Sequence, residues 1–139
     1  MDEGYRTFDH TGDLGLEVWA ESPERLFALA AEALFAQIAE APAGSDEVRR
    51  SLVLTGDNHG DLIVHWLNTA LLEAALHHAV WTVATVTALG PQRLEAVLAG
   101  QRLDPRRQAF LREIKAVSHH HLVLELDRVP CRCRMIVDL

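Results

Sequence analysis

The sequence contains no apolar run of about 18 residues, the length a helix needs to cross a membrane. Its first residues, Met1-Asp2-Glu3-Gly4-Tyr5-Arg6, lack the basic start and apolar stretch of a secretory signal. Neither a membrane span nor a leader is expected. Cations are scarce: 13 Lys and Arg stand against 20 Asp and Glu, for a net charge of −7. Gripping phosphates takes a basic face, so tight direct binding of RNA or DNA is not expected. Cysteine is scarcer still, with only Cys131 and Cys133, two apart in a strand-like segment. That spacing puts both thiols on one face, awkward for an unstrained disulfide, and a lone C-x-C is a weak zinc signal. Two half-buried reduced thiols in a cytoplasmic protein are expected. No glycine-rich phosphate loop, no serine in a G-x-S-x-G elbow and no H-x-x-x-H with a flanking glutamate occurs. Nothing here provides self-sufficient enzymatic chemistry.

What is present suits one ordinary domain, 1–139. The length lies within the usual domain range of about 100–150 residues, and 49% hydrophobic residues suffice for a core without staples. Leu14 to Ala20 alternates as a strand. Ser22-Pro23-Glu24 starts a helix: serine caps, proline fits the first turn and Glu24 suits the positive end of the dipole. Leu26, Phe27, Ala30, Leu34 and Ile38 carry helical spacing to about Glu40. Pro42, Gly44 and Ser45 then end it. Arg50 to Thr55 reads as a strand. The turn cluster Gly56 to Asp61 precedes a second helix, from Leu62 to about His78. Val80 to Leu89, Arg93 to Ala99, Glu113 to Ser118, His121 to Leu126 and Cys133 to Val137 are strand-like. Gly90-Pro91 is a turn, and 103–108 is a loop with local positive charge. The pattern predicts an α+β fold, largely antiparallel, with two helices packed on one side.

The chemistry concentrates at the two ends. Asp9-His10-Thr11-Gly12-Asp13 precedes the first predicted strand, and Asp138 ends the last. Aspartate, threonine and glycine are common turn formers, which is the structural reading of the first cluster. Asp138 adds a carboxylate that cannot be buried unpaired, and Leu139 carries a second negative group beside it. Close negative charges repel unless a cation compensates. If the terminal strands are neighbours, these groups form a set of hard oxygen ligands, suited to Ca²⁺ or Mg²⁺ rather than zinc. His119-His120-His121 invites a zinc site, but consecutive strand residues point to opposite faces, so three ligands do not converge. Lys115 lies in an alternating strand, where the solvated face is the ordinary place.

With these residues in place, the whole chain resembles the archease family, cofactor proteins of the RNA ligase RtcB. Tyr5 to Gly15 is similar to that family's aromatic-rich D-H-T-A-D opening. Ser22 to Phe35 is similar to its alanine-rich first helix. Gly56-Asp57 with Leu62 to Leu67 is similar to its G-D-D-L-x-x-L-L-x-x-W-L segment. Glu113 to Ser118 resembles its E-[IV]-K-A-[VI]-T strand, and Ile136-Val137-Asp138-Leu139 its terminal F-D-I.

The resemblance implies a cytoplasmic protein that binds a divalent metal ion, Ca²⁺ first with Mg²⁺ or Mn²⁺ as alternatives. It implies that an RtcB-type RNA ligase is the partner, whose guanylylation and repeated turnover the protein promotes in tRNA splicing or RNA repair. It implies Asp13, Asp138 and Leu139 as metal ligands, and no catalytic residue. His10 and Lys115 match motif positions without an assigned role. Gly12 replaces the family's alanine, Ser118-His119-His120 its T-Y-H, and Asn68 an aspartate of the second helix. Gln108 stands near a position that is often histidine. A general chaperone or scaffold acting without metal is the alternative from another class. A free-standing metal hydrolase is the third reading, and no nucleophile or base beside the acidic pair favours it.

Overall fold

The last strand of the chain is the hub of the larger sheet. A computed structural model describes residues 2–40, 47–104, 106 and 110–139. The helix-ending residues Pro42, Gly44 and Ser45, and Pro105, Arg107 and Gln108 of the 103–108 loop, lie outside them. In chain order the elements are β1 (Gly4–His10), β2 (Asp13–Ala20), α1 (Pro23–Ala36), β3 (Glu47–Thr55), α2 (His59–His77), β4 (Ala79–Leu89), β5 (Arg93–Arg102), β6 (Ala116–Val117), β7 (Val123–Glu125) and β8 (Cys131–Asp138). One sheet runs β1-β2-β8-β6, with β7 also paired to β8; the other runs β3-β5-β4. Every pairing is antiparallel. The α+β class, with two helices and antiparallel sheets, is the one observed.

Alternation sorts β2 and β8 into two faces. Leu16, Val18, Cys133 and Met135 are fully buried beneath the helices. Leu16 pairs with Met135 and Val18 with Cys133, so the core itself fixes the register. The opposite face carries Glu17, Trp19, Arg132 and Arg134. Both cysteines are free and buried, Cys131 at 1% and Cys133 at 0% exposure, rather than half-buried as expected. The strand's inward positions leave them no other place. Burial raises both thiol pKa values, that of Cys133 to about 12.

Helix α1 begins as its sequence dictates. Ser22 Oγ accepts from the Arg25 N–H at 3.1 Å, and Pro23 opens the helix. It stops at Ala36, earlier than the spacing predicts. The Ile38 carbonyl instead accepts from the Leu111 N–H at 2.8 Å, and Ala39 bridges to Phe110. Tertiary pairing takes the groups that another helical turn would need. Arg25 joins α1 to the chain's start, with 3.0 Å contacts to Glu3 and one of 2.9 Å to Glu32. Glu32 in turn accepts from the Ala84 N–H of β4 at 3.0 Å. Arg25 holds the Glu3 carboxyl below the usual range. In α2, Trp66 is fully buried and donates to the Phe27 carbonyl at 2.8 Å; Trp81 of β4 donates to Ala70 at 3.0 Å.

Strand β1 has no counterpart in the predicted elements. The predicted strand over 113–118 contracts to β6, and that over 121–126 to β7. His121 adopts φ 57°, which interrupts extended backbone before β7.

Two outcomes follow. Gly100 faces the bulge between Trp81 and Val83, where a Cβ would lie 1.9 Å from the Val80 carbonyl oxygen. Gly100→Ala should destabilise the fold by about 1–3 kcal/mol, as overpacking does, read as a lower urea midpoint. The folded protein should leave both thiols unmodified by an aromatic disulfide reagent at pH 8, and modification should accompany unfolding, because the buried thiols hold their protons.

Candidate metal centre

The β1–β2 hairpin and strand β8 of the larger sheet bring the two ends of the sequence together. Strands β1 and β2 pair until His10 faces Asp13, leaving only Thr11 and Gly12 as the loop. Gly12 takes φ 76°, a left-handed conformation that glycine adopts without a Cβ penalty. On the other side of β2, Leu14 pairs with Val137. The β2–β8 register ends there, which leaves Asp13 and Asp138 as the flanking residues at the same end of the strand pair. Asp138 is also paired to Ala116 of β6, and its carbonyl accepts from the Lys115 N–H at 2.8 Å. Leu139 follows, exposed, at the sheet's end.

His10, Asp13 and Asp138 share the face turned away from the helices. Asp9 pairs with Leu14 and falls on the opposite face, so it does not join them. His10 Nδ1 lies 3.7 Å from Asp13 Oδ2, too long for a hydrogen bond, with the two side chains 35% and 33% exposed. That ring nitrogen is itself buried and has no hydrogen-bond partner. Of the three consecutive histidines, His119 parts from the other two. His119 lies 3.1 Å from Asp61 at the start of α2, His120 and His121 have ring centroids 3.9 Å apart, and His121 lies 6.0 Å from the His10 ring. Lys115 is on the other face, at the rim of an apolar groove that Leu71, Leu72 and Ile114 also line, and not with the carboxylates.

The corner therefore brings the Asp13 and Asp138 carboxylates to one edge, with Leu139 next to Asp138. Among the described residues, no three His, Cys, Asp or Glu side chains close around a common point as metal ligands. Hard oxygen donors of this kind fit a hard divalent ion, with further positions left to water or a partner. The unpartnered His10 nitrogen is a polar atom at that edge which the protein's own groups leave unsatisfied.

Above this corner the exposed face is not acidic. The Phe8 ring lies across Gly15, where a Cβ would come within 2.1 Å of it, and the Arg134 guanidinium sits 4.1 Å over that ring. Glu17 lies 3.4 Å from Arg6 and 3.9 Å from Arg134. Sequence reasoning did not find this stack; an aromatic and a glycine on neighbouring strands give no local signal. It also passed over Asn68 except as a departure from a family pattern. Its amide accepts from the Val117 N–H at 2.8 Å and donates to the Val117 carbonyl at 2.9 Å. A lone amide in the apolar run of α2 was the available signal, since half-buried amides need partners.

Fold and site together define a small α+β protein with two antiparallel sheets around a helical pair and a carboxylate corner beside a two-residue hairpin. Residues 5–139 match the model of the Archease protein family (MTH1598/TM1083), and the chain belongs to that family. It is 28% identical to Protein archease of Methanosarcina mazei over 139 residues, which spans 97% of this chain and 95% of the relative. It is also 28% identical to Protein archease of Methanopyrus kandleri over 138 residues, spanning 97% and 99%. The solution structure of Methanobacterium thermoautotrophicum protein 1598 superposes with a TM-score of 0.73 at 20% identity, covering 98% of this chain and 99% of that one. That likeness shows the fold. Among the described residues, no helix is long and apolar enough to cross a membrane.

Proposed function

We propose that this protein is a cytoplasmic accessory factor that activates an RtcB-type RNA ligase, promoting its guanylylation and repeated turnover in tRNA splicing or RNA repair. Asp13, Asp138 and Leu139, the last through its main chain or a terminal carboxylate, would hold a divalent ion, Ca²⁺ in first place and Mg²⁺ or Mn²⁺ otherwise. Family membership supports the accessory role. The observation that supports the site is the β2–β8 register, which brings Asp13 and Asp138 to the same end of the strand pair.

The chain's own residues make that corner a delivery site rather than a cage. Three ligand residues fall short of the roughly six to eight oxygens that enclose Ca²⁺ in a dedicated site. Their position at an exposed edge leaves the remaining positions open to a partner's ligands. A divalent ion there supplies positive charge that offsets the phosphate oxygens of a nucleotide during guanylyl transfer. Asp13 and Asp138 orient it, and the short hairpin keeps neighbouring chain from covering it. The net charge of −7 suits a protein that acts on the ligase rather than on RNA directly.

The test is single-turnover guanylylation of the ligase from the same organism. The wild type should raise the rate, and Asp13→Ala and Asp138→Ala should each abolish the gain while retaining the wild-type circular dichroism spectrum. Equal gains from both variants would favour a metal-independent chaperone or scaffold. No gain from the wild type would remove the ligase as partner. Isothermal titration with Ca²⁺ should show binding by the wild type and loss of binding by both variants.

A further inference from the structure

Among the described residues no further strand pairs with the β6 edge, and a helix side chain takes the strand's place. Asn68 of α2 makes two hydrogen bonds to one residue, accepting from the Val117 N–H at 2.8 Å and donating to the Val117 carbonyl at 2.9 Å. This is the exchange a neighbouring strand would provide, and it needs an amide, since a carboxylate cannot donate. Strand β6 is only two residues long. Its other edge pairs Val117 with Val137 and Ala116 with Asp138, and two residues before Val117 the Lys115 N–H donates to the Asp138 carbonyl at 2.8 Å.

We infer that Asn68 is a positioning residue for the carboxylate corner: through Val117 it holds β6 against the end of β8 and so fixes where Asp138 and Leu139 lie. Strand β2 holds the same end from one side only, and its register with β8 stops at Leu14–Val137. Without the amide, a two-residue edge strand has too few bonds to keep its place, and Asp138 is left tethered on one side. The inference deepens the ion-binding reading and rests on it for what Asp138 does.

The experiment compares the full-length wild type with Asn68→Ala and Asn58→Ala. Asn58 caps the N-terminus of the same helix, about three turns before Asn68, accepting from the Asp61 N–H at 2.9 Å. It therefore controls for a general weakening of α2. Two quantities are read: hydrogen exchange of the Lys115 amide by NMR, and Ca²⁺ affinity by calorimetry. Asn68→Ala should speed exchange at Lys115 and weaken Ca²⁺ binding about tenfold, the usual effect of removing a group that orients a metal ligand. Asn58→Ala should leave both near wild type. Unchanged protection of Lys115 in Asn68→Ala would overturn the inference. So would lost protection with wild-type affinity, or an equal loss in Asn58→Ala. If the wild type itself binds no Ca²⁺, the ion-binding reading fails, and with it the corner's purpose; the Lys115 exchange then still decides whether Asn68 holds Asp138.

Discussion

Everything at the functional edge depends on the register between β2 and β8. That register is set by apolar pairs such as Leu16 with Met135 and Val18 with Cys133, all at 0% exposure. A slip of one residue would turn those side chains to water and the polar face inward. The core therefore brings Asp13 and Asp138 to the same end of the β2–β8 pair.

The two sheets are tied to each other mainly through α1. Its nine buried residues pack against both layers, and Arg25 and Glu32 add polar links at its rim. Arg25 reaches Glu3 just before β1, while Glu32 accepts from the Ala84 N–H of β4. The outer face of the larger sheet stays uncovered. It presents the Arg134–Phe8 stack and the Arg6–Glu17–Arg134 cluster above the acidic corner. Opposite signs thus alternate along one open surface, which favours a single orientation of an approaching partner.

Much of this fold was legible along the chain because local chemistry carried it. Ser22 and Pro23 start α1 where capping predicts, and α2 ends at His77, with His78, the predicted last residue, as its left-handed cap. Strand β1 was not legible. It lies at the sheet's edge, where Tyr5, Arg6, Thr7 and Asp9 are all exposed, so no apolar alternation marks it. The ends of α1 and of β6 and β7 were also misplaced, each because a tertiary hydrogen bond or a left-handed residue overrode local preference. For the site, residue types could be read directly, since two acidic groups at opposite ends suggest a cation. Their assembly could not, because strand order is a long-range property without a local signature. Asn68 shows the limit most clearly: its meaning lies in Val117, 49 residues away.

Lys115 is the only lysine in the sequence. Its side chain is exposed at the rim of the apolar groove, while its backbone N–H is bonded to the Asp138 carbonyl. The chain thus has a single side-chain amine, adjoining the carboxylate corner but on the reverse face of the strand. With the α-amine blocked, an amine-directed fluorophore or cross-linker placed there carries a known address, one strand away from the Asp138 end of β8. Distances from that one label to any associated macromolecule would locate the corner within a complex without engineering a new attachment point.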